Sequence, residues 1–436
     1  MGGYGPLTKG LLIGTEKLVA SSLKLVGKVE QGLGKTVTTG LTDVDHLLGK
    51  VGNGNALKEL GLFTDTGAQA VTMSRPQVLS HLASDLSRRQ QVNPAGLALK
   101  VKVLSSKPFA FFRGTAPQFY RRLFSEMPES LRNAPKTVLQ GDVHIENFAV
   151  VPGNRTLTYG LTDFDEAIKG PASVDLVRGM SSVVVAAGED VSLLKTFLKG
   201  YRKGLDGSIN LKSDAIVGFL KKQGTISQAE MLAERTMKNH TRIKPNATTL
   251  AVPKALKSKI AKALTNSDIP NVAKKDLQDI VQVHAGTGSL DLFRYEGVLG
   301  KGSQKDVIVE MKELLPSSLS PHLGAAGNDL KRYQEALAVY QGQVAAPVTA
   351  IAVDGRTFLT RTRPAYKGGI KFDDVKPGDR VVFLEDLGKI LGKAHANGGN
   401  GPQLASFVQQ HESDLLATAI NQARHSIADF KTFLSR

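Results

Sequence analysis

Between positions 279 and 315 the chain reads "DIVQVHAGTGSLDLFRYEGVLGKGSQKDVIVEMKELL". Apolar and polar residues alternate with a period of two, interrupted by two Gly-rich turns, which predicts three antiparallel strands. A second alternating run, "VTAIAVDGRTFLTRTRP" at 348–364, predicts a hairpin that turns at Asp354-Gly355. Elsewhere the period is helical. "VDLVRGMSSVVVAAG" from Val174 is apolar nearly all round, so it predicts a buried helix. Helices are also expected over 76–90, after Pro117, across much of the basic stretch 189–280, at 328–342, over "FLEDLGKILGKAHANG" ending at Gly398, and from 403 to 435. Between 138 and 170, "TVLQGDV", "NFAVV" and "RTLTYGLTDFD" predict short strands around turns. Together these elements predict an α+β fold.

The polar turns inside that strand region carry the candidate chemistry. "VLQGDVHIENFAV" gathers Asp142, His144, Glu146 and Asn147 between apolar flanks. A phosphoryl-transfer loop needs a carboxylate near the nucleophilic hydroxyl and, five residues on, an amide oxygen for magnesium; Asp142 and Asn147 have that spacing. "TLTYGLTDFDEA" then places Asp163 and Asp165 just past a strand, where a carboxylate that binds the metal bridging the phosphates belongs. His144 is expected to be a hydrogen-bonded structural residue and Glu146 to be solvated.

The β-rich half supplies a complementary set. Gly286, Gly288 and Ser289 make a turn whose backbone N–H groups suit phosphate. Lys312 shares a strand face with Ile308 and Glu310 and suits the α- and β-phosphates. The following helix offers Glu335 as its ion-pair partner, with Asp329 as the runner-up. Arg113, inside the aromatic run "SKPFAFFRGTA", must be paired, either with a carboxylate of the 142–147 loop or with phosphate. "GLGKTV" at 32–37 lacks the earlier glycine of a P-loop, and "GVLGKGS" fails the same test.

Composition narrows the partners. A formal charge of +16 favours anions, yet there is no Trp, only 6% of residues are aromatic, and there is no long basic arm, so nucleic acid is not the expected ligand. The absence of Cys excludes disulfides, zinc-thiolate centres and a cysteine nucleophile. The first apolar run is broken by Glu16 and Lys17, and no run reaches membrane-spanning length, so a cytoplasmic location is expected, with export by a dedicated secretion system left open. Residues 1–72 predict a separate amphipathic, Gly- and Lys-rich region, expected as a loosely attached N-terminal appendage, with contact to a membrane surface or a partner as the alternative.

"PFAFFRGTA", "GDVHIENFAV", "DFDEAIKGPASVDLVRG", "GTGSLDLFRY" and "VEMKE", in that order across roughly residues 75–400, resemble the bacterial DUF2252 family, which is grouped with protein-kinase-like and aminoglycoside-phosphotransferase-like proteins. The resemblance implies a two-lobed kinase-like fold that uses ATP and Mg²⁺. It implies Asp142 as catalytic base, Asn147 and Asp163 as magnesium ligands, Lys312 as the phosphate lysine and Asp175 as a buried brace for the catalytic loop. The parts come in an unusual order, with catalytic loop and metal aspartate ahead of the Gly-rich turn and lysine, which implies a circular permutation. On that basis residues 73–205 hold the catalytic loop and metal site, 206–279 a helical insertion, 280–365 the nucleotide-binding lobe and hinge, and 366–436 the helices that complete the helical lobe.

The acceptor is expected to carry a hydroxyl, and the sequence does not name it. Three departures stand out: Gln140 where such kinases carry His, Asp165 where they carry Gly, and Asp291 in place of the third loop glycine. They keep two relatives of the same fold as alternatives, a silent pseudokinase and a nucleotidyltransferase. A non-enzymatic basic protein that binds nucleic acid or a membrane surface is the rival from another class.

Overall fold

The computed structural model describes residues 94–434, apart from 154–155, 208, 238, 270–271, 273–275, 325–326, 343–346 and 367. The N-terminal region 1–72, the helix expected over 76–90 and the Gly-Lys-Thr stretch at 32–37 lie outside these residues.

The described chain opens with helices α1 (Pro94–Leu104), α2 (Pro108–Gly114) and α3 (Ala116–Glu126). Strands β1 (Lys136–Leu139), β2 (Phe148–Pro152), β3 (Leu157–Leu161) and β4 (Ile168–Pro171) follow, then helices α4 (Ser173–Ala187), α5 (Val191–Gly204), α6 (Asp214–Gln223) and α7 (Gln228–Arg235). Next come β5 (Thr249–Ala251), α8 (Lys254–Thr265), β6 (Leu277–Val283), β7 (Arg294–Leu299), β8 (Val307–Glu313), α9 (Asp329–Gln341), β9 (Thr349–Val353) and β10 (Arg356–Thr362). Helices α10 (Arg380–Gly398), α11 (Gly401–Gln410) and α12 (Glu412–Leu434) close the chain. The fold is α+β. No helix among the described residues is long and apolar enough to cross a membrane.

The alternating runs form one six-stranded antiparallel sheet in the order β5-β6-β7-β8-β10-β9. Asp354 and Gly355 both take positive φ, +49° and +74°, as the tight hairpin turn between β9 and β10 requires. One sheet face buries Tyr295, Val309, Met311 and Phe358 against Ile260 and Leu264 of α8. At one end of the other face, Val298 and Ile308 pack on Met231 and Leu232 of α7. The segment 206–279, expected as a helical insertion, holds α7 and α8 on opposite faces of the sheet and also contributes an edge strand, β5. β6 also starts three residues before the expected boundary.

The larger core is mainly helical. Helix α4 is buried nearly all round, as its apolar sequence requires. Helices α5 and α10 meet backbone to backbone. A methyl group added at Gly200 would overlap the carbonyl oxygen of Glu385, and one at Gly388 that of Phe197. This contact brings the C-terminal α10 beside β1 and α4, where Thr137 Oγ1 donates to the His395 carbonyl at 2.8 Å.

Candidate active site

Two polar loops come together because of how the short strands pair. β1 pairs with β4 and β2 with β3, both antiparallel. The loop 140–147 leaves β1 and enters β2; the loop 162–167 leaves β3 and enters β4. Both loops therefore emerge at the same ends of the two ladders. They are stitched there by Thr162 N–H donating to the Asn147 carbonyl at 3.1 Å, and by Gln140 Nε2 donating to the carbonyls of Thr162 and Asp163 at 2.9 and 2.7 Å. Gly141 takes φ +84°, and a Cβ there would overlap the Glu166 carbonyl, so only glycine fits the turn.

Helix α4 reads the first loop from one face. Asp175, wholly buried in its first turn, accepts from Gln140 N–H at 2.7 Å, Gly141 N–H at 3.0 Å and His395 Nε2 at 3.2 Å. One turn on, Arg178 Nε donates to Asp142 Oδ1 at 2.7 Å. Ser182 Oγ accepts from Ile145 N–H at 3.1 Å. Positions 175, 178 and 182 share a helix face, so the motif "SVDLVRG" is a template for the loop. Arg178 itself is stacked under Phe112 and Phe119, with its guanidinium 4.5 and 4.8 Å from their ring centres.

Burial pushes the Asp142 carboxyl up, Arg178 opposes that with charge and hydrogen bonds, and the nearby Glu166 and Asp163 add to the rise; the net value is about 6. That is where a general base works best near neutral pH. Asn147 is buried and donates Nδ2–H to the Asp142 carbonyl at 3.1 Å. His144 is buried edge-on to Phe109 and accepts from Glu146 N–H at 3.2 Å. Burial holds its pKa well below the ordinary value, so it is a neutral structural group. Glu146 is not solvated: it ion-pairs with Arg113 at 2.7 Å. The aromatic helix α2 presents Arg113 to the loop, where Glu146 balances its charge.

Across the cleft, Lys312 Nζ lies 2.6 Å from Asp163 Oδ1 and also bonds Asp165. Asp163 sits at φ +60°, ψ +70°, a costly conformation for a non-glycine residue and one that clusters at functional sites. Burial would raise its carboxyl, but the Lys312 charge and hydrogen bond, with help from Arg294 and His144, hold it down to about 2. The side chain is nonetheless 49% accessible to water. The other oxygen of Asp165, Oδ1, is buried with no hydrogen-bond partner.

The Gly-rich turn borders the same cleft. Arg294, in register with Lys312, donates to Ser289 Oγ at 3.2 Å. A Cβ at position 288 would stand 3.4 Å from the Arg113 carbonyl, and Gly286 takes φ +78°. Asp291, in place of the third glycine, is buried and ion-pairs with Lys100 at 3.2 Å; Lys100 also donates to the Gly288 carbonyl at 2.8 Å. That residue latches the turn to α1.

Glu335 does not serve as the partner of Lys312. It lies on the exposed face of α9, and the lysine meets Asp163 and Asp165 instead. The helix register turns Arg332 inward: it donates to the carbonyls of Asp165, Ala167 and Leu315 at 2.5, 2.7 and 3.0 Å and pairs with Asp329 at 3.1 Å. Arg178 and Arg332 are the site residues that sequence reasoning missed. A lone arginine in an otherwise apolar helix, as in "VDLVRGM", was a signal for the first.

The sequence matches the family described as uncharacterised proteins conserved in bacteria, DUF2252, over residues 91–436. The chain belongs to that family. No curated protein and no solved structure matches it. Within this DUF2252 chain no cluster of three or more His, Asp or Glu side chains among the described residues could hold a metal alone.

Proposed function

We propose that this DUF2252 protein is a magnesium-dependent, kinase-like phosphotransferase that moves a phosphoryl group from ATP to a hydroxyl of an acceptor. The observation that carries the proposal is the meeting of Lys312 with Asp163 and Asp165, 149 and 147 positions away along the chain. Nothing local holds them together, so the fold itself assembles a lysine and two carboxylates beside a Gly-rich turn and a base-like Asp142.

The donor set fits magnesium. Mg²⁺ is usually held by one or two carboxylates with phosphate oxygens and water completing its shell, and seldom by an all-protein cage. Asp163 and Asp165, with the amide of Asn147, are that kind of set, and the orphaned Asp165 Oδ1 is an oxygen in want of a cation. When bound, Mg²⁺ neutralises charge on the phosphates. Lys312 would hold phosphate oxygens, as would the amides of the 286–289 turn. Asp142 would take the acceptor's hydroxyl proton on Oδ2, because Arg178 engages Oδ1.

The chain order fits a circular permutation of a two-lobed kinase-like fold. Helix α10, near the C-terminus, braces the catalytic loop through His395 and Asp175. Such a fold needs its parts in space, not in sequence. A second reading is nucleotide binding without transfer, favoured by the ion pair that ties Asp142 to Arg178.

Calorimetry with ATP, with and without Mg²⁺, tests the proposal. Binding that needs Mg²⁺ and persists at about 0.2 M salt is expected, whereas polyanion binding that ignores Mg²⁺ and collapses with salt would make this a basic binding protein. Transfer of labelled phosphate to a component of cell extract separates the enzyme from the silent relative.

A further inference from the structure

Arg294 stands beside Lys312 on the sheet. The two are registered partners on the adjacent antiparallel strands β7 and β8, so their side chains leave the same face. The two cations are held differently. Lys312 is engaged by two carboxylates, 2.6 Å from Asp163 Oδ1 and bonded to Asp165. Arg294 is held by a neutral group: its NH2 donates to Ser289 Oγ at 3.2 Å. Its Nε is buried and has no hydrogen-bond partner among the described residues.

The carboxylates that feel the charge of Arg294 are bonded to other cations. Burial raises the Asp163 carboxyl, Lys312 lowers it through charge and a hydrogen bond, and Arg294 adds to that lowering. Burial likewise raises Glu310, while Arg361 and Arg363, in contact with it at 3.2 and 2.5 Å, and then Arg294 bring it down. Arg113, whose carbonyl borders the same Gly-rich turn, has Glu146 at 2.7 Å.

The guanidinium of Arg294 also lies against that turn. A Cβ at Gly286 would stand 3.7 Å from Arg294 NH2 and 2.9 Å from Ser289 Oγ. Ser289 Oγ donates to the Ala285 carbonyl at 3.3 Å. A hydroxyl that gives its one proton to Ala285 serves the guanidinium only as an acceptor, so the contact orients Arg294 without neutralising it. A buried N–H with no partner is costly, and the planar guanidinium matches two oxygens of one phosphate. Lys312 offers a point charge, and the two aspartates beside it offset a Mg²⁺ ion. The several charges of a triphosphate call for a further cation from the protein.

We propose that Arg294 is that cation: its guanidinium, steered by Ser289 at the Gly-rich turn, binds non-bridging phosphate oxygens of the donor alongside Lys312. This rests on the phosphotransferase assignment above and adds a phosphate-binding residue to it.

Two measurements test it. Calorimetry on the full chain with Mg²⁺ and ATP at about 0.2 M salt, where non-specific polyanion binding is suppressed, comes first. Arg294→Met should weaken binding by about 10-fold or more, as for the loss of a hydrogen bond to a charged group, with folding checked by urea titration. Footprinting needs no variant. Phenylglyoxal modifies guanidinium groups, and mass spectrometry of the wild-type chain reads each arginine separately. Mg²⁺ with ATP, and Mg²⁺ with inorganic tripolyphosphate, should each slow the labelling of Arg294 by about 10-fold at about ten times the dissociation constant. Adenosine should leave it unchanged. Arg202 of α5, paired with Glu412, is the internal reference and should keep its rate throughout. Protection by adenosine would put the base or ribose at Arg294 and overturn the inference. Weaker binding in Arg294→Met without protection of the wild-type residue would make the arginine a brace for the turn and overturn it too. So would Mg²⁺-dependent ATP binding that leaves both readouts unchanged, and in all three cases the assignment stands. If ATP and tripolyphosphate both fail to bind with Mg²⁺, the assignment falls and the inference with it.

Discussion

Lys312 sets its ammonium 2.6 Å from Asp163 Oδ1 and so occupies, with a cation of its own, the carboxylates proposed for magnesium. Lysine and metal therefore compete until phosphate arrives to take the lysine. Replacing Lys312 with Met should then have opposite effects on two ligands. Affinity for free Mn²⁺ or Mg²⁺ without nucleotide should rise, because the competing charge is gone. Affinity for the metal–nucleotide complex should fall. Thermal melts with each ligand check this; a drop in both would mean that the lysine supports the site's structure and does not compete for it.

Asp163→Asn should lower metal-dependent turnover by about 10²–10³-fold, in line with the loss of other groups that stabilise charge in a transition state. The side chain lines the open cleft and leaves the core intact, so circular dichroism and melting should change little. Full activity in the folded variant would move the ligand role to Asp165.

Asp142 with a pKa of about 6 makes a pH prediction. A base must be ionised to accept a proton, so kcat/KM for ATP turnover, with water standing in for the acceptor, should rise with pH through about 6 and level off above it. Arg178 lowers that pKa, and burial raises it. Arg178→Gln leaves burial unopposed, so the limb should move to higher pH. A limb that stays in place would show that Arg178 only fills space beneath the loop.

The sheet was legible because it is half-buried: each strand alternates, and the Asp354–Gly355 turn needs positive φ at both residues. The two polar loops were legible for a related reason, as polar residues set between short apolar strands. What pairs with what across the cleft was not. Glu335 and Arg332 sit three residues apart on one helix, and only the rotation of that helix against the core decides which turns inward. Period alone predicts a helix at 328–342 without giving that angle. The role of β5 was hidden too, since a three-residue edge strand leaves almost no pattern.

Gly200 and Gly388 allow α5 and α10 to touch along their backbones, and α10 carries His395 to Asp175. Alanine at either glycine should cost about 1–3 kcal/mol, the range for overpacked sites. The two changes act on one interface, so the double variant should depart from additivity. Urea titration gives both numbers. Because the brace on the 140–147 loop runs through α10, turnover should fall in the folded fraction as well. Activity that tracks only the amount of folded protein would separate the helix packing from the loop.

Arg332 joins three segments that have no other reason to keep a fixed spacing. Its NH1 holds the carbonyls of Asp165 and Ala167, its NH2 holds that of Leu315, and Asp329 balances its charge. The first two carbonyls flank the loop that carries the proposed metal ligands; the third lies just past β8, the strand of Lys312. The arginine thus fixes the distance between the two halves of the site without facing the cleft itself. Arg332→Met would leave those carbonyls unpaired, at roughly 1–3 kcal/mol for each that water cannot reach. Arg332→Lys should rescue little, because a single ammonium cannot reproduce the planar fork. The Mg²⁺ concentration for half-maximal nucleotide binding should rise in both variants, with the folded fraction measured separately by urea titration. If lysine restores that concentration to the wild-type value, charge near Asp329 is what matters, and the fork that links the loop to β8 is not.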